Sequence, residues 1–187
     1  MDAWRCDALY SGTQKCLSCP PGLAPISFAE AAVAKLKGRK NKVPNWYLDL
    51  TMIINYWEGN TRAYNHTAPI NMNYALYQAL RLILQEGTDK VFERHKDVHD
   101  RLVYGLDALG FKMYVQETCR LPMLNAVVPP PGVDEAALRK RMRQEYMIEL
   151  GSGLGPLAGK IIRIGLMGET ARRENVNRLL SALRECL

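Results

Sequence analysis

The hydrophobic period of this chain changes at Gly110, and few arrangements accommodate such a change within one compact unit. Before it, Met72, Leu76, Ala79, Leu80 and Ile83 keep to one helical face as far as Gly87. Val91, His95, Val98, Leu102, Leu106 and Leu109 are spaced for a second helix that stops at Gly110. Beyond it the pattern is strand-like, over Phe111–Val115 and Leu124–Val128, and Pro129-Pro130-Pro131-Gly132 ends the second strand. Asp134 is placed to cap a helix running to about Glu145. Met147–Leu150 and Ile161–Gly165 read as two more strands. Thr170 is placed to cap a last helix with Val176, Leu179, Leu180 and Leu183 on its apolar face. The order β-β-α-β-β-α predicts a small α+β domain, one sheet covered by helices.

Upstream the signals are shorter. Leu9 and Tyr10 read as the end of a short buried strand, and Ile26–Lys37 as a helix stopping at Gly38. Trp46–Leu50 and Met52–Trp57 are rich in aromatic and apolar residues and are expected to be buried, as one short helix or two irregular turns. The 187 residues suffice for a good core, and 48% hydrophobic with 24% charged residues is ordinary globular composition. No run of about 18 apolar residues exists, so no membrane span is expected.

The net charge of +6 raises nucleic acid as a partner, but much of the excess sits in Lys35–Lys42, with no aromatic interleaved. A solvated helix end and loop is the reading, with no nucleic acid. Five cysteines, an odd number, fit free thiols in a reducing compartment. Met1–Asp7 has no signal-peptide pattern, and Arg184-Glu185-Cys186-Leu187 is neither a peroxisomal nor a prenylation signal. A cytoplasmic soluble protein is expected.

Several stretches carry candidate chemistry. Lys15 follows the strand end at Leu9-Tyr10 and precedes Pro20-Pro21-Gly22, which forbids a helix there. A lysine so placed is either a surface cation or a positioned amine, a nucleophile toward carbonyls such as that of pyridoxal phosphate. Tyr64-Asn65-His66-Thr67 sets hydrogen-bonding side chains ahead of a helix N-terminus, which suits an anion site or a capping loop equally. Arg163 interrupts an otherwise apolar strand. Its charge demands an anion, either an internal carboxylate such as Glu149 or a ligand carboxylate gripped by two hydrogen bonds.

The remaining patterns carry less. Gly151–Pro156 lacks the spacing of a P-loop or a dinucleotide fingerprint and reads as a flexible turn. His95 and His99 share a helical face, but no third ligand is indicated, and no metal site is assigned. Cys16 and Cys19 have redox spacing without a thioredoxin context and read as bystander thiols.

Ser11-Gly12-Thr13-Gln14-Lys15 with Pro20-Pro21-Gly22, Tyr64–Thr67, and Arg163-Ile164-Gly165-Leu166-Met167-Gly168 together, and in order, resemble one family. It is that of the alanine–glyoxylate (serine–pyruvate) aminotransferases, fold-type I enzymes that use pyridoxal 5'-phosphate. The resemblance runs over essentially the whole chain but covers only the C-terminal half of such an enzyme. It implies an α/β fold in which residues 1–87 are the end of the cofactor-binding large domain, with the Schiff-base lysine segment. Residues 88–187 are then the small α+β domain.

The same resemblance makes Lys15 the catalytic lysine, and places Gln14, Tyr64 and Thr67 at the cofactor, the latter two reaching the partner subunit's phosphate in a homodimer. Asn65 stands where the family often has histidine. Arg163 is given the substrate α-carboxylate, with alanine or serine as amino donor and glyoxylate or pyruvate as acceptor. The family's phosphate loop, stacking aromatic and ring-nitrogen aspartate lie upstream of its lysine, where only fourteen residues stand here. Met1 is therefore expected to be an internal methionine of a longer protein, and the chain alone an inefficient transaminase. Two alternatives remain: another enzyme of the same fold type, such as a cysteine desulfurase-like lyase, and a non-catalytic dimerising fragment.

Overall fold

The computed structural model describes residues 2–58, 61 and 64–187, so Met1 lies outside the described residues. The chain divides into two compact units, one of Met1–Gln14 and Cys19–Leu76, the other of Lys15–Ser18 and Tyr77–Leu187.

In the first unit, strand β1 (Ala8–Tyr10) pairs antiparallel with β2 (Ile26–Phe28), Leu9 opposite Ser27. The helical spacing from Ile26 therefore starts too early. Ile26–Phe28 spend their backbone groups on β1, and helix α1 runs only from Glu30 to Lys37, closed by Gly38 as expected. The strand at Leu9-Tyr10 is exposed rather than buried, because a two-stranded ribbon offers no second layer to cover its faces. A 3-10 turn at Trp46–Leu48 precedes α2 (Leu50–Glu58). The burial expected of this aromatic run is not observed: Trp46 is 57% exposed and Trp57 69%. Lys35–Lys42 is largely exposed, as its composition predicts.

Helix α3 (Ile70–Glu86) leads into the second unit and ends where Gly87, at φ 90°, starts the next turn. Helix α4 (Thr88–Ala108) buries the predicted face, with Val98, Leu102 and Leu106 almost wholly inaccessible. A four-stranded antiparallel sheet follows, in the order β3 (Lys112–Met113), β4 (Leu124–Val128), β6 (Ile162–Gly165), β5 (Gly151–Ser152). Helices α5 (Glu135–Tyr146) and α6 (Arg173–Cys186) complete the unit, and α6 packs on both α4 and α5. At Gly105 a side chain would run into Leu180, so the glycine lets α4 and α6 approach closely. The β-β-α-β-β-α order holds.

Three boundaries differ, the first being the strand expected over Phe111–Val115, which spans only Lys112–Met113. Met147–Leu150 is not a strand: Met147 turns left-handed (φ 55°) to end α5, and the Ile148 N–H donates to the Met142 carbonyl. Thr170 caps a preceding 3-10 turn, its hydroxyl accepting from Met167 N–H, while α6 starts from Arg172. Asp134 does cap α5, accepting from the N–H groups of Ala136 and Ala137.

Candidate functional site

Lys15 sits at the tip of a tight turn in which the Ser18 N–H donates to the Lys15 carbonyl (2.9 Å). In the first unit the buried Thr13 donates its hydroxyl to the Pro20 carbonyl at 2.9 Å, and the Cys19 N–H returns to the Thr13 carbonyl. Lys15 and Gln14 are exposed.

Within the second unit the tip is also held. The Glu169 N–H donates to Ser18 Oγ at 2.7 Å, across 151 residues of sequence. Glu169 lies six residues beyond Arg163, so the lysine turn meets the loop that leaves β6. At Gly168 (φ 58°) a Cβ would collide with Ser18 Oγ and stand 2.7 Å from the Cys16 carbonyl. Only glycine satisfies both the backbone and the space.

Arg163 lies on β6 opposite Gly151 of β5 and Ala126 of β4. Its Nε–H donates to the Ser152 carbonyl at 2.7 Å. Among the described residues no carboxylate pairs with it; Glu149 lies instead 3.9 Å from Arg143. With Nε committed and no carboxylate partner among the described residues, the guanidinium has two Nη groups that could take an anionic acceptor.

Two residues that the sequence did not mark support it. Ser152 Oγ donates to Glu135 (3.0 Å), a buried carboxylate that also receives Arg139 Nε. The Arg139 hydrogen bond foremost, then Ser152, hold the Glu135 carboxyl below the usual carboxylate range. The glycine-rich run begins as a packed corner: Gly151-Ser152 is strand β5, and a side chain at Gly153 would strike the Leu157 carbonyl, whereas Gly155 stands in open space.

In the first unit the Tyr64 hydroxyl and Thr67 Oγ1 share a hydrogen bond of 2.7 Å on an exposed surface. Between them in sequence, both polar atoms of the Asn65 side chain are buried without a partner among the described residues. His66 packs its ring 5.1 Å from that of Tyr47. The exposed hydroxyl pair, just before the start of α3, keeps one hydroxyl proton to donate and so fits an anion such as a phosphate ester. The structure thus brings Tyr64 and Thr67 together in one unit, and holds Lys15 and Arg163 in the other.

Among the described residues no group of three or more His, Cys, Asp or Glu side chains could hold a metal ion. His95 is held between Val91 and Gly168, and His99 Nδ1 meets Asn125 Oδ1 at 2.7 Å in the core. An open cleft of about 1000 Å³ beside His99, lined also by Phe92, Tyr104 and Arg120, contains none of the predicted site residues.

No family model matches the chain. Against individual proteins it is 40% identical, over its whole length, to an alanine–glyoxylate aminotransferase of Oryctolagus cuniculus, of which it covers 48%. The crystal structure of an alanine–glyoxylate aminotransferase from Nostoc sp. superposes on 99% of the chain with a TM-score of 0.94 at 46% identity, again over 49% of that protein. The chain is a homologue of the C-terminal half of these aminotransferases. It is likewise similar to ureidoglycine–glyoxylate aminotransferase from Bacillus subtilis, with a TM-score of 0.95 and 39% identity. The chain spans about half the length of each relative it matches. The resemblance carried by the Lys15, Tyr64 and Arg163 segments is borne out, as is the mixed α/β fold.

Proposed function

We propose that these residues form the C-terminal half of a pyridoxal-phosphate-dependent aminotransferase that moves an amino group from alanine or serine to glyoxylate or pyruvate. The observation that carries the reading is Arg163, a strand arginine anchored through Nε with no carboxylate partner among the described residues and two Nη groups to spare. That is a receptor for the α-carboxylate common to amino and keto acids. End-to-end similarity to alanine–glyoxylate aminotransferases supports the choice of substrates.

The division of labour follows from side-chain chemistry. Arg163 fixes the carboxylate and so restricts how the Cα–H bond is presented. Lys15, when neutral, takes the Cα proton on Nζ as general base and then, as general acid, gives it up away from Cα, to what would be the cofactor's C4′. Tyr64, Thr67 and Gln14 are assigned to the cofactor, the first two as a hydrogen-bonded hydroxyl pair. Pyridoxal phosphate, when bound, supplies the electron sink that makes that proton removable.

Residues 1–87 are read as the end of the cofactor-binding domain and 88–187 as the small domain. Homodimerisation, with Tyr64 and Thr67 serving the partner's cofactor, is supported by the exposed aromatics Trp46, Tyr47 and Trp57. A cytoplasmic location is supported by five free cysteines. No helix among the described residues is long and apolar enough to cross a membrane.

The test is borohydride trapping of the purified chain with pyridoxal phosphate, followed by peptide mass mapping. Preferential modification of Lys15 over the exposed lysines, lost in Lys15→Ala, is the expected outcome. Modification scattered over the surface lysines would refute a cofactor site in this chain.

A further inference from the structure

The loop after β6 is fastened from both sides at one peptide. The Gly168 N–H donates to His95 Nε2 at 2.9 Å. A ring nitrogen that accepts carries no proton, so His95 holds its proton on Nδ1, which donates to the Val91 carbonyl at 2.6 Å. The Gly168 carbonyl accepts from Arg94 Nη1 at 2.8 Å, and the same nitrogen reaches the Ala171 carbonyl at 2.9 Å. Arg94 is itself braced by Glu86, whose carboxyl that hydrogen bond holds below the usual range. The next N–H along, that of Glu169, grips Ser18 Oγ in the lysine turn. His95 is 5% exposed, so this is a built, dry contact rather than a surface accident.

We propose that His95 and Arg94 on α4 are positioning residues for Lys15: they lock the Gly168–Glu169 peptides, and these hold the Lys15–Ser18 turn through Ser18. The same loop continues from β6, so one clamp sets the lysine turn against the strand that bears Arg163. The catalytic meaning of the clamp rests on the aminotransferase reading; its mechanical content does not.

Amide hydrogen exchange on the 187-residue chain, resolved by residue, separates the two. His95→Ala is expected to speed exchange about tenfold at the Gly168 and Glu169 N–H groups and at the Ser18 N–H within the lysine turn. His95→Gln, whose amide oxygen can accept from Gly168, restores protection. Ser18→Ala speeds exchange at Glu169 and Ser18 and leaves Gly168 protected. The ¹⁵N shifts of His95 should report the neutral ring with its proton on Nδ1. If His95→Ala loosens Gly168 alone, or if His95→Gln fails to rescue, the clamp is refuted. Borohydride trapping with pyridoxal phosphate is run in parallel, with preference for Lys15 falling in His95→Ala and returning in His95→Gln. An intact exchange pattern without preferential trapping in the unaltered chain leaves the clamp standing and refutes the aminotransferase reading. Selective trapping at Lys15 that is indifferent to both His95 variants refutes positioning by the clamp and leaves that reading intact.

Discussion

Arg163 and Glu135 meet at Ser152, the first through its Nε on the Ser152 carbonyl and the second through the Ser152 hydroxyl, and in the proposed function the first grips the substrate carboxylate. A lysine at 163 would keep the charge but lose the planar fork and the Nε tether to Ser152. In the catalytically complete protein Arg163→Lys is therefore expected to raise KM for the amino donor about 10- to 100-fold, the worth of one charged hydrogen bond, measured by steady-state kinetics. Glu135 has a depressed carboxyl, so its contribution is present above the ordinary carboxylate pKa and is lost as pH falls through its lower folded value. Glu135→Gln should cost about 1–3 kcal/mol at pH 7 and flatten the loss of stability on acidification, read by urea titrations at pH 7 and pH 3. Arg163 was visible in the sequence because a cation inside Ile161–Gly165 breaks an apolar run. Glu135 and Ser152 were not, because a buried ion pair on a helix has the same letters as a solvated one.

At the scale of elements, what was legible followed from long periods. The α4 face from Val91 to Leu106, the strand Leu124–Val128 and the Asp134 cap all stand as read. The failures lie where a short apolar run has two uses. Met147–Leu150 has strand composition, yet helix α5 needs a left-handed residue to stop, and Met147 is spent on that. Ile26–Phe28 continues the spacing of α1, yet pairing with Ala8–Tyr10 takes it. The corner at Gly153 shows the opposite case, in which glycine signals tightness rather than looseness. Its N–H pairs with the Ile161 carbonyl, and its missing side chain lets Leu157 close over it. Gly153→Ala should push β5 away from β6 and lower the unfolding free energy by about 1–3 kcal/mol, measured by thermal denaturation.

For the molecule as a whole, the buried apolar cluster is confined to the second unit, from Val98 to Leu183. The first unit carries most of its large apolar side chains in the open, including Leu48 at 64% exposure. Limited proteolysis is therefore expected to cut first within residues 19–76, leaving a resistant product that covers 77–187, identified by mass spectrometry. Simultaneous loss of both regions would show instead a single cooperative body. The exposed aromatics were misread as core because composition reports that a surface is apolar, not what covers it.

The bond between Ser18 and Glu169 also has a consequence in time. A ribosome makes the lysine turn first and its anchor 151 residues later. At about 5–20 residues per second that interval is roughly 8–30 seconds, during which nothing yet made can hold Ser18 in this way. The Lys15–Ser18 turn thus acquires this anchor late, and a nascent chain interrupted before Glu169 would leave Ser18 without it.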